Sequence, residues 1–288
     1  MDKKQERRVF DAVFGRLGLT VAEQEEPDFV CSQPGMENFG VEVTEFFLTE
    51  SDARLERIGS YACDLIAGGD YRHKDDPKEI KVQNVIYRSA PMGQEIPLNA
   101  IGRPIPPHRE SLSTLLPKIA HKNGKFPRYR QRVECVDLVV NDVNNVLRFE
   151  TVWELLTPIV FDRGLATVLD SPFREIYVVT RNTKRGDVCV PFRANLFAGE
   201  ISLFSSVYNQ FRGEVRGPNT VGDYVNALAT YLVTRFPTVM HCTAPDVVRF
   251  VFGSVSWEFT PEQKIQITDI SCANKNNWGQ EAGQVRYC

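Results

Sequence analysis

Apolar residues recur every three to four positions over residues 3–18, where Val9, Phe10, Val13, Phe14 and Leu17 form one stripe, and this spacing predicts an amphipathic helix. Residues 28–32 and 39–48 read instead as two strands, joined by a turn that contains Pro34-Gly35. A helix is expected over 51–67, with Leu55, Ile58, Ala62 and Leu65 inward and Gly68-Gly69 ending it. "IKVQNVIYR" (80–88) predicts a strand, and the proline-rich "RPIPPH" (103–108) a loop before a helix at about 111–123. "ECVDLVVND" (134–142) has the continuous apolar run of a buried strand. A helix near 151–169, the strand "REIYVVTR" (174–181) and a hairpin partner "DVCVPFR" (187–193) follow. This alternation predicts an α/β fold built on one mixed sheet. From about residue 196 the pattern changes to a helix at 219–236 and two strand stretches, 247–259 and 264–270. Residues 1–195 therefore read as a core, and 196–288 as a C-terminal α+β extension.

A chain of 288 residues, 42% hydrophobic, can bury one large or two modest cores. The start "MDKKQERRVF" has no apolar segment of the kind a secretory signal needs. No run approaches 18 apolar residues, so no membrane span or membrane partner is expected. Seven scattered cysteines without a C-x-x-C pair suit reduced thiols, and hence a cytoplasmic location. Four histidines lack zinc-hydrolase spacing, and no P-loop pattern occurs.

Two acids break the hydrophobic pattern. Asp28 lies between Pro27 and Phe29, and Glu42 lies inside Gly40-Val41-Glu42-Val43-Thr44, otherwise a buried strand. Burying a lone carboxylate costs several kcal/mol unless something pairs with it. Residues i and i+2 of a strand share a face, so Glu42 and Thr44 point one way while Val41, Val43 and Glu45 point the other. Asp28, on the neighbouring strand, can come alongside Glu42. Two carboxylates so placed suit Mg²⁺, which binds one or two carboxylates and keeps several waters. The plainer alternative is that Asp28 caps a turn and Glu42 pairs with an arginine. Glu6 is a third such acid: at about 100° per residue it falls within about 40° of Phe10, Val13 and Leu17 on the apolar stripe. Near a helix start it can also simply favour the dipole.

"PDF", a turn-bearing spacer and then "GVEVTE" resemble the PD-(D/E)xK, or restriction-endonuclease-like, nuclease superfamily. The order of elements from residue 3 to about 142, and more loosely to about 195, is similar to that family's core. The resemblance implies a mixed central sheet flanked by helices, with Asp28 as the acid of PD and Glu42 as the acid of ExK. It further implies Mg²⁺ or Mn²⁺ held by Asp28, Glu42 and the Val43 carbonyl, with Glu6 adding a ligand from the first helix. The lysine of ExK would fall at position 44, where this chain has Thr44. In related proteins without that lysine, one from a nearby helix can take over its charge. Lys118 and Lys122, four residues apart on the helix before the 134–142 strand, are the candidates, Lys122 being nearer Leu115 and Ile119 on the wheel. Both can equally be surface lysines.

Residues 103–132 hold eight basic side chains against Glu110 alone, a local charge of +7 in a chain whose total is −3. Lys125, Arg128, Arg130 and Arg132 crowd its end, with Phe126 and Tyr129 interleaved as candidate stacking partners for bases. Such a patch beside an acidic metal site suits nucleic acid, DNA more than RNA, although a basic segment can also be only a solvated face. The expectation is a metal-dependent nuclease. Its rival is a nuclease-fold module that has lost catalysis and binds nucleic acid or protein.

Overall fold

Asp2 and Gln5 cap each other at the start of the first helix: the Asp2 carboxylate accepts the Gln5 N–H at 2.8 Å, and the Gln5 side chain accepts the Asp2 N–H at 3.2 Å. The helix α1 (Lys3–Phe14) then buries Phe10, Val13 and Phe14. A computed structural model describes residues 1–33, 37–88, 95–102, 106–161, 164–212, 221–236, 240–244, 247–252, 255–259 and 265–269. The expected turn at Pro34-Gly35, Arg103 and the polar C-terminal tail lie outside these residues.

After α1 the chain forms β1 (Thr20–Glu23), β2 (Phe29–Ser32) and β3 (Phe39–Phe46), each antiparallel to the one before. It then leaves the sheet for α2 (Glu50–Arg57), α3 (Tyr61–Ile66), α4 (Asp76–Glu79), a hairpin of β4 (Lys81–Arg88) and β5 (Glu95–Gly102), and α5 (His108–Tyr129). β6 (Cys135–Asp142) returns parallel to β3. Next come α6 (Val152–Phe161), α7 (Leu165–Leu169), β7 (Ile176–Asn182), parallel to β6, and β8 (Gly186–Pro191), antiparallel to β7. The six-stranded order is β1-β2-β3-β6-β7-β8. The α/β class with a mixed central sheet flanked by helices is therefore what the chain adopts.

Strand alternation divides the core between the two faces of this sheet. Phe39, Val41 and Val43 of β3 pack with Phe10 and Phe14 of α1, together with Val139 and Tyr177. Phe46, Leu138, Val140 and Val178 pack on the other face with Leu112, Leu115 and Ile119 of α5. The acid Glu42 belongs to the α5 face by the same alternation.

Several expected elements divide or extend. The 51–67 helix breaks into α2 and α3 because Ile58 turns to an extended conformation at the Gly59 junction. Asp76 holds the two pieces, accepting from Ser51 Oγ at 2.7 Å, from Arg54 at 2.8 Å and from the Tyr61 hydroxyl. The strand over 80–88 forms, but among the described residues it pairs only with β5 and stands outside the central sheet, leaving Ile86, Tyr87 and Ile96 exposed. The helix expected at about 111–123 runs on to Tyr129, through Gly124 and Pro127.

The 195/196 boundary falls inside α8 (Phe192–Arg212), a helix the hydrophobic pattern did not reveal. α8 is followed by α9 (Val221–Arg235), β9 (Met240–Ala244), β10 (Val247–Phe252), β11 (Val255–Phe259) and β12 (Ile265–Asp269), the last four in an antiparallel sheet. The 247–259 stretch is thus a hairpin of two strands. Phe197 of α8 stacks on Phe252 of β10, centroids 4.6 Å apart, and both belong to the cluster that also holds Phe46 and Leu138. Glu175 caps α8, accepting the Arg193 and Ala194 N–H groups at 2.8 and 3.1 Å. Among the described residues, no helix is long and apolar enough to cross a membrane.

Candidate active site

Gly40 sets how closely the β1–β2 turn can lie on β3. A Cβ at Gly40 would stand 2.6 Å from Pro27 Cγ and 2.9 Å from Val133 Cγ2, so no larger residue fits without displacing Pro27. Pro27 packs into that space, and the next residue, Asp28, is held against β3. Register follows: Phe29 pairs with Val41, and Asp28 Oδ2 accepts the Val43 N–H at 2.8 Å. The peptide between Glu42 and Thr44 is thereby tied to Asp28.

The cation reaches Glu42 from α5. Leu112, Leu115, Ile119, Phe126 and Tyr129 form the buried stripe of that helix, and Lys122 falls within the same three-to-four spacing. Its ammonium lies 2.6 Å from Glu42 Oε1, and the Tyr129 hydroxyl donates to the same oxygen at 3.1 Å. Glu42 Oε2 is buried and has no hydrogen-bond partner. Thr44, half-buried, lies on the Glu42 side of β3 by alternation, so Lys122 brings positive charge to the side where an ExK lysine would project.

Asp28 is 6% exposed. Burial, followed by the charge of Glu42, pushes its carboxyl up to about 6, against the downward pull of the Val43 N–H. Glu6 raises it further and Lys3 lowers it. Burial and the adjoining Glu42 also raise the Tyr129 phenol, which stays a neutral donor.

The other expected residues divide. Lys118 is turned away from the acids: its ammonium donates to the Phe47 carbonyl at 3.1 Å and lies 5.4 Å from the centre of the Phe46 ring. It sits one turn of α5 before Lys122 and is engaged just beyond the end of β3, while Lys122 takes Glu42. Glu6 comes to the Asp28 side of the site but pairs with Lys3 at 2.9 Å. Phe126 and Tyr129 are not base-stacking groups, because α5 continues to Tyr129 and turns both into the core. Arg130 is exposed and Lys125 half-buried. Arg128 lies 3.6 Å from Glu26, and Arg132 hydrogen-bonds Gln24. The basic segment therefore borders the turn that delivers Asp28. Lys3 and the Tyr129 hydroxyl were not foreseen. Helical spacing from Lys122 would have marked Tyr129, one i+7 step along the stripe.

Among the described residues, no three side chains of His, Cys, Asp or Glu come together as a metal ligand set. A divalent ion here would rest on the Asp28–Glu42 pair, with backbone and water filling the remaining positions. That is an ordinary arrangement for Mg²⁺, and the unpartnered, buried Glu42 Oε2 is the sort of atom that a bound cation satisfies. Comparison with protein-family models, with curated proteins and with solved structures gives no match.

Proposed function

We propose that this chain is a Mg²⁺- or Mn²⁺-dependent phosphodiesterase acting on nucleic acid, DNA before RNA, with a restriction-endonuclease-like core. The observation that carries this reading is the state of Glu42: one oxygen is fixed by Lys122 and Tyr129, the other is buried without a hydrogen-bond partner, and the Glu42 charge acts on the buried Asp28. The Lys122 ion pair engages only one Glu42 oxygen, and a metal ion would satisfy the other while offsetting the repulsion between Glu42 and Asp28.

Asp28 and Glu42 would hold the ion, with the Val43 carbonyl as a further ligand. When bound, the ion supplies Lewis-acid activation of water and of the scissile phosphate. Lys122 fixes the Glu42 carboxylate and brings a positive charge against the negative charge that grows on the phosphoryl oxygens. The Val43 N–H keeps Asp28 oriented. Tyr129 donates to Glu42 and does not compete for the ion. Lys125, Arg128, Arg130 and Arg132, beside the 24–28 turn, would track the nucleic-acid backbone.

The test is cleavage of duplex and single-stranded DNA with Mg²⁺ or Mn²⁺. Asp28→Asn and Glu42→Gln are each expected to abolish cleavage while DNA binding in the absence of metal persists. Cleavage that survives both substitutions would overturn the reading.

A further inference from the structure

Asp28 is bordered on its α1 side by a second ammonium group. Lys3 Nζ lies 2.7 Å from the Gln24 carbonyl, 2.9 Å from Glu6 Oε2, 3.3 Å from Asp28 Oδ1 and 4.0 Å from Glu25 Oε1. Packing of Phe10 and Phe14 against β3 sets α1 across the sheet, which carries its first turn to the 24–28 turn. One backbone carbonyl and two carboxylates facing a common point are the oxygen donors a hard divalent ion takes. Here that point is filled by a cation covalently tied to the chain.

Charge balance agrees. With the exposed Glu25 left out as screened by solvent, Glu6, Asp28 and Glu42 carry three negative charges and Lys3 and Lys122 two positive ones, which leaves one net negative charge in the site. One divalent ion and one phosphodiester would bring the sum to zero. A second divalent ion would leave two uncompensated positive charges among largely buried groups.

We propose that Lys3 is a built-in substitute for a second metal ion: it occupies the Glu6–Asp28 side of the site, so that each chain binds a single Mg²⁺ or Mn²⁺. Glu6 is then the counter-ion of Lys3 and not a metal ligand. The inference rests on reading Asp28 and Glu42 as a metal site.

The experiment is metal stoichiometry on the full chain, with Mn²⁺ alone as probe, by equilibrium dialysis and by electron paramagnetic resonance. The native protein is expected to bind one Mn²⁺ and show no coupling between ions. Lys3→Met and Lys3→Gln should each bind two, with the spectrum of a coupled pair, and Lys3→Arg should stay at one. Adding Glu6→Gln to Lys3→Met should return the count to one. Two ions on the native chain, or one ion on folded Lys3→Met and Lys3→Gln variants, would overturn the inference and leave the metal-site reading standing. No ion on the native chain would overturn both.

Discussion

Lys122 Nζ lies 2.6 Å from Glu42 Oε1 although 80 residues separate them in the chain. The pair joins α5 to β3, and it brings an ammonium group to the strand face on which Thr44 stands, where the proposed nuclease reading calls for a lysine's charge.

If Lys122 has taken over that charge, Lys122→Met lowers kcat by about 100- to 1,000-fold, the usual effect of removing one preorganised charge-stabilising group. Thr44→Lys in the Lys122→Met background is expected to restore a large part of that loss. Steady-state cleavage rates of the three proteins check this. Full activity in Lys122→Met would take the lysine out of the chemistry.

Asp28 gives a pH dependence of defined sign. Its carboxyl is pushed up to about 6 from the ordinary 3.8, so the folded state holds the proton more tightly than the unfolded state does. The associated stability is fully present below about pH 4 and is lost as pH rises through about 6. That difference corresponds to at most about 3 kcal/mol. In metal-free protein, Asp28→Asn should therefore be as stable as the native chain or more so at pH 7.5, and should flatten its decline between about pH 4 and 6. Denaturant melts across that range, made in chelator, measure it. Glu42→Gln is the less clean variant for this purpose, because it strips Lys122 of its counter-charge.

The Tyr129 hydroxyl satisfies Glu42 from the core side. Tyr129→Phe is expected to cost about 1.5–3 kcal/mol, the range for a hydrogen bond to a charged group, without loss of fold. Equal melting temperatures for the two proteins would show that the bond contributes nothing.

Binding should be salt-sensitive through the end of α5. Each phosphate neutralised contributes roughly −0.9 to the slope of log K against log salt on duplex DNA. Replacing Arg128, Arg130 and Arg132 together by alanine should flatten the slope by about two to three units. An unchanged slope would move the binding surface off the α5 end.

Much of the site was legible because carboxylates and lysines are conspicuous in apolar stripes. Glu42 interrupts a run of strand residues, and Lys122 falls into the spacing of Leu115 and Ile119, so each announced an inward-facing charge. Lys3 did not stand out, being one of four basic residues among the first eight and bonded in part to a backbone carbonyl, which no sequence pattern encodes. The helix expected to end at about residue 123 runs on through Gly124 and Pro127, because Phe126 and Tyr129 pack on Phe173, a contact distant in sequence. α8 was hidden because Ala194, Leu196, Phe197 and Ile201 are buried around several of its faces and leave no single stripe. The β4–β5 hairpin is exposed along most of its length, so one strand showed no alternation between a buried and a solvated face.

The most direct measurement is a crystal structure of the protein soaked in Mn²⁺, with anomalous scattering used to locate the ion. A metal-dependent nuclease centred on this pair predicts an anomalous peak bridging the carboxylates of Asp28 and Glu42, with Glu42 Oε2 among its ligands and Lys122 still on Oε1. Saturating Mn²⁺ that leaves no peak between Asp28 and Glu42 would contradict it.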